Sequence, residues 1–373
     1  MADGLSNRQK LDHDRKVKKD SSLQSRVPRR LLVTGGAGFI GSNFAHYWCN
    51  TYPVDRVVVL DALTYAGSLR NLEALDSQDE FRFVQGDICD PILVEALIKA
   101  ENIDTVVHFA AESDVDRSIL GPVAFVRTNV LGTSTLLETF RQYWKRRGCR
   151  ESDRFIHIST DEVYGSLGAD EPAFTETTPY NPNSPYSASK AGSDFLVHAY
   201  HHTYGLPTLI TNCSNNYGPY QFPEKVIPLM LINMIMGKPL PVYGDGENVR
   251  DWLYVEDHCR ALDLAIHKGI PGETYNIGGS NQLKNIELVY SLCKLMDKLA
   301  PKLPVRPCQD LITFVKDRPG HDRRYAMDTS KIKTQLGWQP QVTLEEGLHQ
   351  TVKWYLKNRK WWKGLLSKDY KSA

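Results

Sequence analysis

The chain has 373 residues, of which 41% are hydrophobic and 24% charged, a composition typical of a folded globular protein rather than a disordered or fibrous one. Its 45 Lys/Arg and 44 Asp/Glu give a net charge of +1, so the chain as a whole has no electrostatic footprint for nucleic acid. The longest apolar run, residues 226–236, is far shorter than the roughly 20 residues that a membrane span needs, so a buried helix is expected there.

The first 28 residues are predicted to form a basic, disordered tail, because large apolar side chains are few in this segment. Residues 1–30 carry nine Lys/Arg against four Asp and lack the apolar core of a secretory signal. The four acids also argue against a transit peptide. A weak contact with an anionic surface and an unusual targeting role are the alternatives.

From residue 29 the chain alternates short apolar strands with helical stretches. Strands are predicted at 30–34, 56–60, 81–85, 105–109, 154–159 and 208–213, with helices between most of them, for example at 91–100 and 122–144. This alternation predicts an α/β fold, a Rossmann-type doubly wound parallel sheet with helices on both faces.

A glycine-rich segment, TGGAGFIG at residues 34–41, follows the first strand and opens a helix. Gly35, Gly38 and Gly41 permit a tight turn, a close backbone approach to a pyrophosphate and close packing of helix on strand. Asp61 ends the second strand, 20 residues after Gly41, where a carboxylate accepts hydrogen bonds from a ribose 2′-hydroxyl and repels a 2′-phosphate. The sequence therefore predicts bound NAD rather than NADP.

A tyrosine and a lysine are spaced for one helix face further along the chain. Tyr186 and Lys190 are four residues apart, so their side chains are neighbours on a helix. A nearby ammonium, together with the positive nicotinamide ring, stabilises a phenolate and lowers the tyrosine pKa from about 10. Tyr186 is therefore expected to act as a base near neutral pH.

The texture of the sequence changes after about residue 213, where prolines and glycines cluster and the helix and strand patterns become irregular. Residues 29–213 are predicted to form the NAD-binding domain. Residues 214–362 are assigned to a smaller, mixed α/β substrate domain, either separate from the sheet or interleaved with it. Residues 363–373 are assigned to a C-terminal tail.

The cysteines and histidines do not indicate a metal or disulfide framework. The seven cysteines are odd in number and include no CxxC pair, so reduced thiols and a cytoplasmic location are the simplest interpretation. The eleven histidines show no paired metal-ligand spacing, and no metal is predicted.

Three motifs together resemble the extended short-chain dehydrogenase/reductase family, which includes NAD-dependent epimerases and dehydratases. They are the glycine turn, the Tyr186/Lys190 pair and the segment NNYGP at residues 215–219. The resemblance implies that Thr160, after the fifth strand, hydrogen-bonds a substrate 4-hydroxyl beside Tyr186. It also implies that NAD is held by Gly35, Gly38, Phe39, Ile40, Gly41, Asp61, Thr64, Asp87, Ile88, Ala110, Ala111, Tyr186, Lys190 and Asn215. On spacing alone, Asp87 meets the adenine edge or caps its own loop.

Two acids follow Thr160 directly, Asp161 and Glu162, at a strand end where ligands of such sheets bind. Two carboxyl groups whose pKa values differ suit paired acid and base work. Loss of water across C5–C6 of a hexose needs both functions, because a base must remove the C5 proton and an acid must protonate the departing C6 hydroxyl. The C5 proton becomes acidic once C4 has been oxidised to a ketone.

The Thr-Asp-Glu run resembles the nucleotide-hexose 4,6-dehydratases, and longer stretches within residues 29–357 are similar to the dTDP-glucose branch of that group. The resemblance implies conversion of dTDP-glucose to dTDP-4-keto-6-deoxyglucose by internal hydride transfer through bound NAD. It assigns the 4-hydroxyl proton to Tyr186, supported by Lys190. It assigns the C5 proton to Glu162 and protonation of the C6 oxygen to Asp161.

The nucleotide-sugar substrate needs partners for its anionic end. Arg250 and Lys225 are the leading candidates by resemblance, since a guanidinium grips a diphosphate through two hydrogen bonds. On charge alone each would be a solvated surface residue. The remaining predicted substrate contacts, each with loop structure or packing as the alternative, are Ser113, Thr160, Asn216, Glu224, Pro241, Tyr243, Asn285, Arg318, His321 and Tyr325.

One position departs from the dTDP-glucose branch. That branch usually has a histidine in the segment AESHVDR, and this chain has Asp114 there. A carboxylate near a diphosphate is unfavourable unless it points away or pairs with a cation. The departure puts the local contacts to cofactor or sugar phosphate in doubt.

Three alternatives stay open. The nearest is a 4,6-dehydratase of another nucleotide hexose such as UDP-glucose, because thymine and uracil differ by one methyl group. A nucleotide-sugar 4-epimerase has no need of the acidic pair beside Thr160. A non-catalytic NAD-binding protein is the third. The resemblance further implies a homodimer, built on the helices that include residues 122–144 and Tyr186, with neither nucleic acid nor membrane as a partner.

Overall fold

The computed structural model describes residues 29–317 and 319–369. The predicted tail at 1–28 and the predicted substrate contact Arg318 lie outside the described residues. The strands are β1 (Arg30–Thr34), β2 (Arg56–Asp61), β3 (Phe81–Gln85), β4 (Thr105–His108), β5 (Arg154–Thr160), β6 (Thr208–Cys213), β7 (Asn215–Tyr217), β8 (Leu240–Tyr243), β9 (Val249–Tyr254), β10 (Thr274–Ile277), β11 (Gln282–Lys284) and β12 (Ile312–Val315).

The α-helices span Phe39–Thr51, Pro91–Ala100, Val115–Leu120, Pro122–Phe125, Thr133–Arg146, Pro185–Tyr204, Val226–Met236, Val255–Lys268, Asn285–Leu299, Ser330–Leu336, Leu344–Lys357 and Arg359–Asp369. A π-helical segment covers Val126–Gly132, and 3₁₀ turns cover Leu69–Asn71, Glu73–Leu75, Asp161–Tyr164 and Cys308–Leu311. No helix in the described ranges is long and apolar enough to cross a membrane.

A seven-stranded sheet forms the centre of the fold, in the order β10-β6-β5-β4-β1-β2-β3. Every neighbouring pair in it is parallel. The strands are apolar and largely buried because helices cover both of their faces, as expected for parallel sheets. The predicted doubly wound α/β fold is confirmed, and its strand order reverses between β1 and β4, where such sheets bind ligands.

Separate hydrophobic clusters lie on the two faces of the sheet. Phe44 and Trp48 of the first helix pack on one face with Leu262 and Ile266 of the helix Val255–Lys268. The opposite face is covered by the helices Pro91–Ala100, Thr133–Arg146 and Pro185–Tyr204, whose packed side chains include Leu97, Phe140 and Val197. The last of these helices places two of the predicted catalytic residues.

The region after β6 contributes to both parts of the molecule. It contains a three-stranded sheet in the order β11-β9-β7, the parallel pair β12-β8 and a hydrophobic cluster of its own. The chain then returns to the central sheet, because the helix Val255–Lys268 packs on one face and β10 pairs with β6 at the edge. Residues 255–277 therefore interleave with the sheet.

One predicted helix is not continuous. The sequence predicts a helix over 122–144, but the backbone forms a short α-helix, the π segment Val126–Gly132 and then the helix Thr133–Arg146. Asn129 in the π segment accepts a hydrogen bond from the Glu112 backbone N–H at 2.9 Å and donates to its carbonyl at 3.0 Å. Asn129 of the π segment thus holds the loop that follows β4. Segments of π-helix are frequent near functional sites.

The end of the described chain packs against its beginning. The Trp361 indole N–H donates to Asn71 Oδ1 at 2.8 Å, and the Asn71 amide donates to the Ala37 carbonyl in the glycine turn, also at 2.8 Å. The helix that carries Trp361 continues to Asp369, into the segment 363–373 that was assigned to a C-terminal tail.

Candidate active site

A cavity of about 500 Å³ lies at the carboxyl ends of the central strands. It is lined by all of the predicted catalytic and cofactor-binding residues and by part of the predicted substrate set. The predicted residues in its wall are Gly35, Gly38, Phe39, Ile40, Gly41, Asp61, Thr64, Asp87, Ile88, Ala110, Ala111, Ser113, Thr160, Asp161, Glu162, Tyr186, Lys190, Asn215, Asn216, Glu224 and Lys225.

The glycine turn forms a cradle that has no room for side chains. Gly35 has φ +69°, and a Cβ added there would lie 2.5 Å from the Ala110 nitrogen. A Cβ on Gly41 would lie 2.4 Å from the Gly35 carbonyl oxygen. The helix Phe39–Thr51 starts from this turn, so the positive end of its dipole is directed at the cavity. Such a cradle fits the pyrophosphate of a dinucleotide.

Asp61 is anchored at the end of β2, next to the turn. Its Oδ2 accepts from the Ala37 N–H at 2.9 Å, and its Oδ1 accepts from the Leu63 N–H at 2.8 Å. Burial raises the pKa of Asp61, and these two backbone hydrogen bonds oppose that shift. The carboxyl group is held in one place at the cavity wall, where a ribose would meet it.

Asp87 caps its own loop, which is one of the two roles that the sequence left open. Its Oδ1 accepts from the Cys89 N–H at 2.9 Å, which is a loop cap, and its Oδ2 lies 2.9 Å from an Arg127 guanidinium nitrogen. The residue also lines the cavity. Loop capping and a position at the adenine end are therefore compatible.

The two adjacent acids follow β5 in a 3₁₀ turn that Thr160 caps by accepting from the Glu162 N–H at 3.3 Å. Asp161 is only 2% exposed, and burial, with the nearby charges of Glu162 and Asp251, raises its pKa well above the ordinary value. Its Oδ1 accepts from the Thr160 hydroxyl at 3.2 Å, whereas its Oδ2 is buried with no hydrogen-bond partner in the described protein. Burial therefore favours the protonated form of Asp161, the form that can give a proton.

Tyr186 stands in the first turn of the helix Pro185–Tyr204, which Ser184 starts with a capping box to Ser187. Burial, followed by the charge of Glu162, raises the pKa of Tyr186 well above its ordinary value, while a Thr160 hydrogen bond lowers it. The lowering expected from the sequence is for Tyr186 beside both the Lys190 ammonium and the nicotinamide ring, and in the chain by itself the pKa moves in the opposite direction. The reason is that loss of solvent around a buried phenolate outweighs the hydrogen bond.

Lys190 is buried in the cavity wall one helical turn later. Its ammonium donates to the Ile158 carbonyl at 2.7 Å and lies 3.4 Å from His157 Nε2. Burial lowers the pKa of Lys190 to about 8, and the charge of Asp194 opposes this. The side chain is thus fixed by β5 beneath the catalytic residues.

A second lysine, Lys225, also lines the cavity. Lys225 Nζ is 3.6 Å from Glu224 Oε1 and 3.9 Å from Asp114 Oδ2, and it donates to the Ser113 carbonyl at 3.4 Å. Asp114 also caps the helix Val115–Leu120, accepting from the Arg117 N–H at 2.9 Å. The departure from the family pattern is therefore paired with a cation, which meets the condition set by the sequence analysis.

Two other predicted substrate residues, Arg250 and Tyr325, lie beside the cavity, next to Asp161 and Glu162. The Arg250 guanidinium donates to the Val249 carbonyl at 2.8 Å and to the Asp322 carbonyl at 2.9 Å, and its central carbon is 4.3 Å from the centre of the Tyr325 ring. The charge of Arg250 acts on Asp161, and that of Glu162 acts on Tyr325. These two residues therefore border the catalytic acids.

Four further predicted contacts belong to the surrounding loops and elements. The rings of Tyr243 and His321 meet edge to face at 6.3 Å. Pro241 is in β8, and Asn285 begins the helix Asn285–Leu299. None of these is among the residues that line the described cavity.

Sequence reasoning missed Tyr65. Its ring lies under the Arg117 guanidinium, 3.9 Å from ring centre to central carbon, and its hydroxyl is influenced by Glu224 and Asp114. The residue follows Asp61 closely, in a loop at the carboxyl end of β2, and that position was the available signal. Within the described ranges, no group of three or more His, Cys, Asp or Glu residues could hold a metal ion.

Comparison with known proteins finds close relatives. The family described as GDP-mannose 4,6 dehydratase matches residues 32–351. The dTDP-glucose 4,6-dehydratase of Xanthomonas campestris pv. campestris is 56% identical over 342 residues, which is 91% of this chain and 97% of that one. A crystal structure of dTDP-glucose 4,6-dehydratase from Streptomyces venezuelae with NAD bound has a TM-score of 0.82 at 49% identity, covering 90% of this chain and 99% of that chain. A UDP-glucose 4-epimerase from Thermotoga maritima has a TM-score of 0.78 at 31% identity, covering 88% and 99%.

Proposed function

We propose, from the premise that this chain belongs to the GDP-mannose 4,6 dehydratase family, that it converts dTDP-glucose to dTDP-4-keto-6-deoxyglucose and water. The observation that carries this proposal is the acidic pair at the end of β5. Asp161 is a buried acid whose pKa is raised, it lies beside Glu162, and both line the same cavity as Tyr186 and Lys190. The identity of 56% to a dTDP-glucose 4,6-dehydratase favours this substrate over UDP-glucose.

The cavity fits NAD. The glycine turn leaves a side-chain-free cradle for the pyrophosphate, and Asp61 is held where it would accept hydrogen bonds from a ribose. The chemistry that NAD supplies when bound is removal of a hydride from C4 of the sugar and its return to C6. Since no net oxidation occurs, the reaction needs no external reductant.

The protein's own residues carry the protons. Tyr186 takes the proton of the 4-hydroxyl, and Thr160 hydrogen-bonds the same oxygen. The Tyr186 phenolate is disfavoured by burial, so this step depends on positive charge brought close to it, from Lys190 and from the bound nicotinamide ring. Proton transfer by a positioned group of this kind contributes about 10²–10⁴-fold to a rate.

Elimination then uses the two acids in different roles. Once C4 is a ketone, Glu162 removes the C5 proton, and Asp161 protonates the C6 oxygen, which leaves as water. Asp161 is suited to the second task because burial raises its pKa and so favours the protonated form. Glu162 later returns its proton to C5.

The substrate's anionic end is held by cations at the cavity rim. Lys225 lies in the cavity wall, and Arg250 lies beside the catalytic acids with its guanidinium stacked on Tyr325. Ser113, Asn216 and Glu224 face the sugar and its phosphates. Tyr243, His321 and Asn285 are assigned to the nucleotide end.

We further infer a homodimer in the cytoplasm. Exposed apolar side chains lie on segments that pack against each other: Val123 is 78% exposed, Leu131 54% and Phe195, on the helix Pro185–Tyr204, 62%. A face of this kind is typical of an interface. The cytoplasmic location rests on the seven cysteines, which are all free in the described chain.

The test uses purified protein with dTDP-glucose and, separately, UDP-glucose, without added reductant. The 4-keto product is followed by its alkaline absorbance, and the loss of one water is verified by mass. Product chiefly from dTDP-glucose is the expected result. Product chiefly from UDP-glucose would contradict the assignment of dTDP-glucose as the substrate. Formation of galactose epimers without water loss would overturn the proposed reaction.

A Glu162→Gln variant tests the assignment of the C5 base. The amide cannot accept the C5 proton, so water loss should fall by at least about 10²-fold while the variant remains folded. Product formation at the wild-type rate would remove Glu162 from this role.

A further inference from the structure

A buried network of titratable groups lies directly beneath Lys190, and the mechanism above does not use it. His157 Nε2 lies between two charged atoms, 3.4 Å from Lys190 Nζ and 3.1 Å from Asp194 Oδ1. The other carboxylate oxygen of Asp194 accepts from the Ser159 hydroxyl at 2.7 Å and from the Tyr180 hydroxyl at 3.0 Å. All of these groups lie on β5, the helix Pro185–Tyr204 or the loop between them.

The groups that face Lys190 and Asp194 directly are uncharged near neutral pH, and the acids next to them are Glu162, which acts on Tyr186, Asp161, which acts on Tyr186 and Cys213, and Glu176, which acts on Tyr164. Those facing Lys190 and Asp194 in the described chain are His108, His157, Ser159, Tyr164, Tyr180, Tyr186 and Cys213. Burial holds the pKa of both histidines well below the ordinary value, so they are neutral. Burial raises the pKa of the Cys213 thiol to about 12 and keeps the three tyrosines protonated.

Asp194 differs from these groups. Burial raises its pKa to about 6, and the Lys190 charge and two hydroxyl donors oppose a larger shift, so the carboxylate is ionised at neutral pH. A buried ammonium without a counter-charge gives up its proton readily. The geometry places the needed negative charge on the same helix, four residues from Lys190.

We propose that Asp194 is a positioning residue for the reaction: its carboxylate, one helical turn from Lys190 and packed with it against the His157 ring, keeps Lys190 protonated and in place next to Tyr186. The activity arm of this inference rests on the proposed function, since it needs turnover of dTDP-glucose. The working enzyme requires a Lys190 ammonium and a Tyr186 phenolate together. Asp194 widens the pH range in which both exist.

The test is the pH profile of kcat for Asp194→Asn. Without the carboxylate, Lys190 loses its proton at lower pH, so the Lys190 ammonium and the Tyr186 phenolate coexist over a narrower range. The alkaline limb of the profile should therefore move to lower pH, and kcat at its optimum should fall about tenfold or more. A merely structural role would reduce the amount of folded enzyme without moving either limb.

Asp263→Asn is the matched control. Asp263 has a similar set of partners, since it accepts from the hydroxyls of Tyr47 at 2.7 Å and Tyr52 at 3.0 Å and lies 2.8 Å from His267 Nδ1, but no lysine. This variant should lower thermal stability and leave both limbs of the pH profile in place. The same narrowing in both variants would overturn the inference.

A second readout does not depend on turnover. Competitive acetylation with a small anhydride, read by peptide mass spectrometry over a pH series, reports the titration midpoint of Lys190. The midpoint should lie near 8 in the wild-type protein and about one pH unit lower, or more, in Asp194→Asn. An unchanged midpoint refutes the role of Asp194 even if the protein turns over dTDP-glucose, and a lowered midpoint supports it even if the proposed substrate is wrong.

Discussion

Replacing Glu224 with glutamine should stabilise the protein, and only at pH values where the native carboxyl group is ionised. Burial is the largest cause that raises the pKa of Glu224 to about 7; the Lys225 charge opposes it, and Asp114 adds to it. In the unfolded chain the same carboxyl group titrates near its ordinary value of 4.5. Ionising Glu224 is therefore harder in the folded protein than in the unfolded one.

The size and sign of the effect follow from this difference. About 2.5 pH units correspond to about 3 kcal/mol at about 1.36 kcal/mol per unit. Because 27% of the side chain is exposed and solvent screens part of the charge, about 2 kcal/mol is expected. The folded state binds more protons than the unfolded state between pH 4.5 and 7, so wild-type stability falls as pH rises through this interval, and the loss is complete above pH 7.

Urea unfolding of the wild type and of Glu224→Gln over a pH series measures the difference between their free energies of unfolding. This difference should be small at about pH 4.5 and reach about 2 kcal/mol at about pH 8, with the variant the more stable protein. Asp114→Asn should move the inflection to lower pH, because it removes one cause of the raised pKa. Glu345→Gln, at an exposed helix position, controls for the change of side-chain chemistry. If the difference in free energy of unfolding between Glu224→Gln and the wild type were the same at the low and the high pH, the reasoning would be refuted.

Three other outcomes are expected. Asp161→Asn keeps a neutral side chain but has no proton to give, so its kcat should fall by about 10²-fold or more with little change in substrate affinity, measured by steady-state kinetics. Gly41→Ala places a Cβ 2.4 Å from the Gly35 carbonyl and should abolish NAD binding by calorimetry; tight binding would contradict the cradle. If the proposed dimer uses this face, Phe195→Asp should give the mass of a monomer in light scattering where the wild type gives that of a dimer, and a dimer mass for the variant would exclude the face.

Most of the fold could be predicted because parallel strands are marked by local apolar runs. β1, β3 and β6 have the predicted bounds, since each run is bordered by polar, glycine or proline residues. The π segment Val126–Gly132 could not be predicted in this way. The hydrogen bonds of Asn129 to Glu112 that accompany it join residues 17 apart in the chain, which helical periodicity does not report.

In the site, too, features set by residues close in sequence could be predicted, and features set by residues distant in sequence could not. The glycine turn, the acids after β5 and the Tyr186/Lys190 pair depend on short spacing, and they line one cavity as the sequence suggests. The direction of the Tyr186 pKa depends on burial and on Glu162, so it became visible only in the folded chain. Tyr65 was missed for a related reason, because its neighbour Glu224 is distant in sequence.

The contact between Trp361 and Asn71 has a consequence for biosynthesis. Asn71 in turn holds the Ala37 carbonyl of the glycine turn, so the support of this turn includes a residue made 290 positions after Asn71. A ribosome must translate nearly the whole protein before that support can form. A nascent chain that has already assembled the first strands of the sheet therefore still lacks the complete nucleotide cradle. A stop codon shortly before residue 361 would leave every predicted catalytic residue in the product and yet impair its hold on NAD.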